Sequence, residues 1–461
     1  MKTIFITMAD PMTVRNIFRT PFWPAFLAVN KDVRIVVLTL PDKKDYYEKT
    51  FGGPNVVFEG VDPRWKGRFA NTLGTLARSA LHTHTNLWSK MRSYLRGDSS
   101  WIATWIKRGL TVTFGRTVWY KRLLRLLILK IKPDPALAKL FDAYKPAAVI
   151  ATYTVSFDFD IPVNTEARRR GIKIIGLTRS WDSLSSHGML RVVPDVLLVQ
   201  NRLIKEHALQ YQGFPKKLPI HVVGLPHYDA YKRKESFIES REAFFSRMGL
   251  DPSKKFVLYG AMGDFLFPHE GGLAQVFERI TEQGMIQAPV QFVYRAHPKF
   301  KSPLEKMQNM KHVRPDRGVT YKSESLASFE MEDADERHLM NSIYHADVIV
   351  TAGSTFAIDA AVFDKPTICV GFDGTATHVP YWESVKRFYD RYTHFEALVE
   401  TGGVRIASTP EELANDVQRY LEHPSLEHEG RCKIIDLLVE PFDGEASQRL
   451  NKMLTTEIRK L

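Results

Sequence analysis

Residues 346–374 read ADVIVTAGSTFAIDAAVFDKPTICVGFDG. Val348, Ile349 and Val350 form a β-branched run of the kind found in strands buried on both faces. A second apolar run, Thr367 to Val370, follows Lys365-Pro366. Between them lie a turn of small residues and an Ala-rich segment of helical character. Strand, turn, helix, strand is one βαβ unit, and its two strands should lie parallel. The turn carries the chemistry. Gly353, Ser354 and Thr355 put backbone amides and hydroxyls at a helix N-terminus, where the helix dipole favours a phosphate. Asp359, one turn further on, is placed to accept hydrogen bonds from a ribose. Ser354 can equally be a plain helix N-cap, and this stretch alone leaves both readings open.

The same alternation runs outward in both directions. Strands are expected at Thr3–Thr7, Val33–Leu38, Ala148–Ala151, Lys173–Leu177 and Val196–Val199, and after residue 240 at Phe256–Tyr259, Gln291–Tyr294, Asp347–Thr351 and Thr367–Val370. Helical patterns separate them, which predicts parallel sheets of βαβ units. With 461 residues the chain is too long for one ordinary core. The expected class is α/β with two Rossmann-like domains. An N-terminal domain takes residues 1–235, with an insertion at about 64–132, and a second domain takes 236–440. The polar stretch KRKESFIESR (232–241) is the linker between them. Residues 441–461 place Leu450, Leu454, Ile458 and Leu461 at helical spacing and are expected to pack back on the N-terminal domain.

Two more strand ends in the second half are polar. Phe256–Tyr259 runs into Gly260-Ala261-Met262-Gly263-Asp264, and Phe292-Val293-Tyr294 into Arg295-Ala296-His297-Pro298. Ligands of open α/β sheets bind beyond the carboxyl ends of the strands. Gly260, Met262, Gly263, Arg295, His297, Gly353, Ser354, Thr355 and Asp359 are therefore the expected donor-binding set, with a cation to neutralise a departing diphosphate. There is no GxxxxGK[ST], which excludes a P-loop ATPase, and no GxGxxG, which argues against a dehydrogenase. No His, Asp and Glu grouping has metal spacing, so no obligatory metal or cofactor is expected.

The ordered pieces RAHP (295–298), ADVIVTAGSTFAIDAAVFDKP (346–366), GGV (402–404), PEEL (410–413) and FDGEASQRL (442–450) resemble the GT-B superfamily. They are most similar to CDP-glycerol glycerophosphotransferase-like enzymes of surface-polymer synthesis. In the first half, SWDSLSSHG (180–188), PDVLLVQN (194–201) and VVGLPHYDAY (222–231) resemble segments that close the first domain in related surface-carbohydrate transferases. The resemblance implies a GT-B-like fold with a C-terminal crossover helix. It also implies a nucleotide-activated donor (CDP-, UDP- or CMP-linked) in the second domain, and a glycan or lipid-linked acceptor in the first. It places Arg295 and His297 at the donor phosphates, Ser354 and Thr355 at the diphosphate, and Asp359 where many relatives carry a ribose-binding Glu. The glycerophosphotransferases have a Trp-His-Gly segment whose His serves as base. Here the match is Trp181-Asp182, with His187-Gly188 six residues on, so Asp182 and His187 are both candidates for the catalytic base.

The net charge is +12, and it is local. Between Arg64 and Lys132 stand 15 Lys and Arg against one acid, Asp98, together with five of the eight tryptophans. Trp101, Trp105, Lys107, Arg108, Trp119, Lys121, Arg122 and Arg125 interleave aromatic and basic character. That pattern suits a helix lying in an anionic membrane interface beside a lipid-linked acceptor. A core helix with solvated arginines, or a groove for an acidic polymer, fits the same residues. Nucleic acid is a third reading, but no RNA or DNA module signature accompanies it and no nucleic-acid partner is expected. Two distant cysteines, an N-terminus that reads as a first strand, and no apolar run of about 18–20 residues predict a cytoplasmic protein, peripheral on the inner face of the plasma membrane. The leading expectation is a transferase. A non-hydrolysing UDP-sugar 2-epimerase and a non-catalytic membrane- or nucleic-acid-binding protein are the alternatives. The first turn, Thr7-Met8-Ala9-Asp10-Pro11, lacks the GxRxE-like pattern an epimerase would carry.

Overall fold

The computed structural model describes residues 1–155, 159–319 and 330–461. It divides into a first unit, Met1–Asp229 with Leu438–Leu461, and a second, Ala230–Leu437.

The first unit is built on strands β1 (Lys2–Thr7), β2 (Val33–Thr39), β3 (Val56–Gly60), β4 (Ala148–Ala151), β5 (Lys173–Leu177), β6 (Val196–Val199) and β7 (Ile220–Val222). They pair in parallel in the order β3-β2-β1-β4-β5-β6-β7. The second unit has β8 (Lys255–Gly260), β9 (Val290–Arg295), β10 (Val313–Asp316), β11 (Val348–Thr351), β12 (Thr367–Val370) and β13 (Arg405–Ala407). Their order is β10-β9-β8-β11-β12-β13, again all parallel. In each sheet the chain runs one way from the central strand and then the other way. The order therefore reverses between β1 and β4 in one unit and between β8 and β11 in the other, the points where such sheets open a crevice.

The interior strands are continuous apolar runs because helices cover both faces. Four strands escape the sequence pattern: β3, β7, β10 and β13. They are the four edges. An edge strand is covered on fewer sides, so β10 (VRPD) and β7 (IHV) mix buried with exposed positions and carry no apolar run.

Six helices matter below. The basic insertion folds as α1 (Arg68–Ser79), α2 (His84–Leu95), α3 (Trp101–Phe114) and α4 (Val118–Ile128). Helix α5 (Phe356–Val362) follows β11, and α6 (Ala446–Arg459) ends the chain. Leu450, Leu454 and Ile458 of α6 are buried in one cluster with Ile4, Phe22, Phe26 and Val33. Asn30 donates to Thr455 Oγ1 at 3.0 Å, and Lys173 pairs with Glu457 at 2.6 Å. The N-terminus of α6 is capped from far away in sequence: the Asp229 carboxylate accepts from Ala446 N at 2.9 Å and Ser447 N at 2.8 Å. That cap explains why the first unit extends to residue 229 before the chain leaves it.

Candidate functional site

The second unit's switch point is closed by small residues. Thr351 Oγ1, at the end of β11, donates to the Gly260 carbonyl at the end of β8, at 2.9 Å. A Cβ on Gly260 would sit 2.5 Å from the Phe356 ring, so glycine is required for the first residue of α5 to lie against β8. Gly353 is similarly hemmed in by Phe388 and Phe395 at 3.0 Å. Beyond it, Ser354 is half-buried and Thr355 exposed. Ser354 Oγ accepts from Phe356 N at 3.2 Å, which is the capping role, and its proton remains available to a ligand oxygen. Asp359 is buried one turn into α5.

The loop after β8 behaves differently from the expectation. Its amides are not open to a ligand phosphate, because a buried carboxylate already occupies them. Glu270 Oε1 accepts from Met262 N at 2.5 Å and from Tyr259 Oη at 2.7 Å, and Oε2 accepts from Gly263 N at 2.7 Å. Met262 and Gly263 are thus corrected from phosphate ligands to the nest of an internal anion. Gly263 has φ +82°, and a Cβ there would meet Phe300 Cβ at 2.3 Å. This locks the loop after β8 to the loop after β9, where Asp264 N also donates to Lys301 O at 3.0 Å.

Burial pushes the Glu270 carboxyl up to about 7 against the pull of those hydrogen bonds. An acid with an ordinary pKa of 4.5 that rises to about 7 on folding binds more protons folded than unfolded in that interval. Its contribution to stability is complete below pH 4.5 and is lost as pH rises through 7. Glu270→Gln should remove that slope: as pH rises from 4.5 to 7 the wild-type unfolding temperature should fall relative to that of the variant, whereas parallel curves would show that Glu270 stays ionised throughout.

Arg295, expected at the donor phosphates, already has partners within the protein. Its guanidinium is 5% exposed and already engaged, donating to Asp316 Oδ2 at 2.8 Å and to the Gly318 carbonyl at 2.7 Å. His338 Nε2 lies 3.1 Å from the same carboxylate. Burial alone would raise the Asp316 carboxyl; Arg295 and His338 outweigh it and hold it well below the usual carboxylate range. The charge is spent inside the protein, so Arg295 braces β9 against β10. His297 is half-buried. Its Nδ1 accepts from Lys299 N and Phe300 N, both at 3.0 Å, and its ring stacks on Phe300 at 4.8 Å. Burial and then Lys299 lower its pKa to about 4. The ring is therefore neutral near pH 7 with its proton on Nε2, a fixed uncharged donor.

In the first unit, Asp182 and His187 bracket a short helix, Ser183–Ser186, and come together: His187 Nε2 lies 3.2 Å from Asp182 Oδ2. The loop holding them is pinned to the basic insertion. Gly188 has φ +94°, and a Cβ there would meet the Arg78 backbone at 2.8 Å. Met189 N donates to Ala77 O at 3.1 Å, and Thr83 Oγ1 donates to Ser185 O at 2.7 Å. A polar cluster unforeseen in the sequence sits at the switch point of this sheet. Arg179 Nη1 pairs with Asp10 Oδ1 at 3.0 Å and lies 4.4 Å from the Tyr153 ring centroid. Asp160 accepts from Tyr153 N at 2.7 Å and Thr7 Oγ1 at 3.1 Å, and burial raises its carboxyl to about 7. The signal for this cluster in the sequence was Asp10, three residues past the end of β1.

The insertion separates its aromatic from its basic residues. Trp101, Trp105 and Trp119 are 59%, 47% and 59% exposed, with Ile102, Ile106, Leu123 and Leu126 exposed beside them, and Arg122 is exposed too. Lys121 and Arg125 point inward, contrary to expectation. Lys121 Nζ donates to Gly115 O at 2.6 Å, and Arg125 donates to the carbonyls of Leu190, Gln212 and Gly213. Loop carbonyls accept from these cations and draw them in. Arg108 likewise donates to Leu87 O at 3.0 Å and lies against Trp105. No helix among the described residues is long and apolar enough to cross a membrane.

Residues 189–456, more than half of the chain, match the family described as CDP-glycerol:poly(glycerophosphate) glycerophosphotransferase. No curated protein gives a significant match. Among solved structures, the chain is similar to the S. aureus MnaA–UDP co-structure, at 13% identity and TM-score 0.53, covering 100% of this chain and 98% of that one. It is similar to UDP-GlcNAc 2-epimerase from Neisseria meningitidis bound to UDP-GlcNAc, at 11% identity and TM-score 0.53, covering 99% and 100%. It is also similar to the glycotransferase of kitacinnamycin, at 11% identity and TM-score 0.52, covering 98% of each. At these identities the likeness is one of fold, and the fold is GT-B-like.

Proposed function

The chain belongs to the CDP-glycerol:poly(glycerophosphate) glycerophosphotransferase family, and on that premise we propose that it moves a glycerol-phosphate-like or sugar group from a nucleotide donor to a cell-surface glycan or lipid-linked acceptor. The family match carries this reading. The hydroxyl-lined turn at the β8/β11 switch point supports it, as a place for a nucleoside diphosphate like the UDP held in the MnaA structure. With Arg295 committed to Asp316, the leaving diphosphate is met instead by Ser354, Thr355, nearby amides and the Nε2–H of His297. A neutral cradle of this kind holds the product less tightly than a bare arginine would and lets it leave.

The acceptor belongs to the first unit, with Asp182 or His187 taking the proton from its hydroxyl. The exposed Trp and Ile residues of α3, with Trp119 of α4, form the surface that meets an anionic membrane, and Arg122 adds charge to it. The epimerase reading shares the fold but has no family match behind it.

The test is a thermal-shift panel of CDP, UDP, GDP and CMP in buffer containing EDTA. A ligand at 100 times its dissociation constant adds about 2.7 kcal/mol to the folded state. One nucleotide should stabilise the protein, and Ser354→Ala with Thr355→Val should abolish the shift. No shift with any nucleotide would sink the donor site, and a shift that needs a divalent metal would overturn the metal-free reading.

A further inference from the structure

Helices α1, α2 and α3 line an open pocket of about 390 Å³ in the first unit, near the small end of the range for ligand sites. Four cations converge on it from separate elements: Arg78 of α1, Lys90 of α2, Lys107 of α3, and Arg191 from the loop beyond Gly188. No Asp or Glu is among the described residues that line it. The rest of the wall is hydroxyls, the Asn86 amide and, at one side, His187.

Lys90 shows what the cavity lacks. It is 8% exposed, and among the described residues its ammonium is held by Asn86, through the backbone oxygen at 3.0 Å and the side-chain oxygen at 2.8 Å. Among the described residues no carboxylate pairs with Lys90, Arg78 or Lys107. Burial, then Arg108, Lys107 and Arg78, lower its pKa to about 7. Two other buried cations of this chain are paired with acids, Arg295 with Asp316 and Arg431 with Asp364, while Lys121, like Lys90, is held by a carbonyl oxygen. Gathering like charges around a buried ammonium is unfavourable, and an anion in the cavity adds an attraction to each cation that offsets their mutual repulsion. The walls are also held in place before any ligand arrives, by the Gly188 contact with Arg78 and by the Met189–Ala77 and Thr83–Ser185 hydrogen bonds.

We propose that this cavity is an anion subsite that binds a phosphate or diphosphate group, the charged part of the acceptor. It rests on the transferase reading only in naming the acceptor as the bearer of that group. The phosphate can belong to a soluble ester or to a lipid. The exposed Trp101, Ile102, Trp105 and Ile106 share α3 with Lys107, which puts an apolar surface and the cavity on one helix.

The full chain is titrated calorimetrically with inorganic pyrophosphate and with glycerol 3-phosphate, without nucleotide. It is also floated with phosphatidylcholine vesicles that contain or lack phosphatidic acid. Wild type should bind at least one of these phosphates. Arg78→Ala with Lys107→Ala should weaken binding by roughly ten- to a hundredfold, and Lys139→Ala, an exposed cation away from the cavity, should not. Loss of the soluble-ester signal in the double variant names a soluble bearer, and loss of flotation that depends on phosphatidic acid names a lipid. Lys107→Ala alone, at a half-buried position, guards against a folding defect, and the thermal unfolding of each variant is measured alongside. If wild type binds none of the probes, or the double variant binds as tightly as wild type, the proposal falls. No nucleotide is present, so that failure leaves the donor site untouched, and a failed nucleotide panel leaves this result standing.

Discussion

Arg295→Ala is expected to destabilise the second unit by roughly 3–5 kcal/mol, the usual consequence of removing one partner from a buried ion pair. The cause is Asp316. It is 9% exposed, and without Arg295 it keeps, among the described residues, His338 and the Gly318 amide as partners. Denaturant titration should show the midpoint falling with an unchanged slope. Arg295→Met with Asp316→Leu should lose less than Arg295→Ala alone, because no unpaired charge is left behind. Nucleotide affinity, measured where the variant is still folded, separates bracing from direct contact. If Arg295 braces the strand ends, affinity stays near wild type; if it touches the donor phosphates, affinity drops while stability holds.

The second large effect concerns turnover. Asp182→Asn and His187→Ala should each slow transfer by roughly 10²- to 10⁴-fold, the range a positioned general base supplies. The two side chains are 3.2 Å apart, so removing either disturbs the other, and the double variant should be little worse than the poorer single one. Added imidazole should restore part of the rate to His187→Ala if the ring itself takes the proton, and should do nothing if Asp182 does. Near-normal turnover in both single variants would place the base elsewhere.

Central strands were legible because burial on both faces writes itself as an uninterrupted apolar run, as in Val348-Ile349-Val350. Edges were not, since β10 needs only Val313 and Asp316 buried and exposes Arg314 and Pro315 between them. The strand-end turns were legible as positions and less so as roles. Arg295 advertised a free cation, but its partner Asp316 lies 21 residues away on the neighbouring strand, and only pairing in register brings them together. Met262 and Gly263 advertised open amides; Glu270, seven and eight residues on, has no local pattern marking it as their acceptor. In the insertion, composition reported the sum of aromatic and basic character. The helices then divided it, sending Trp outward and Lys121 and Arg125 inward.

Helix α6 gives the first unit an unusual birth order. Its core is assembled from both ends of the polypeptide, so the surface formed by Ile4, Phe22, Phe26 and Val33 has no cover when residue 229 leaves the ribosome. The whole second unit, residues 230–437, is synthesised first, a wait of roughly 10–40 s at ordinary elongation rates. During that interval the nascent chain presents a greasy groove, together with an Asp229 carboxylate that has no amides to cap. A premature stop between residue 437 and the last helix therefore leaves the second unit whole and damages the beginning of the protein, where the groove stays uncovered.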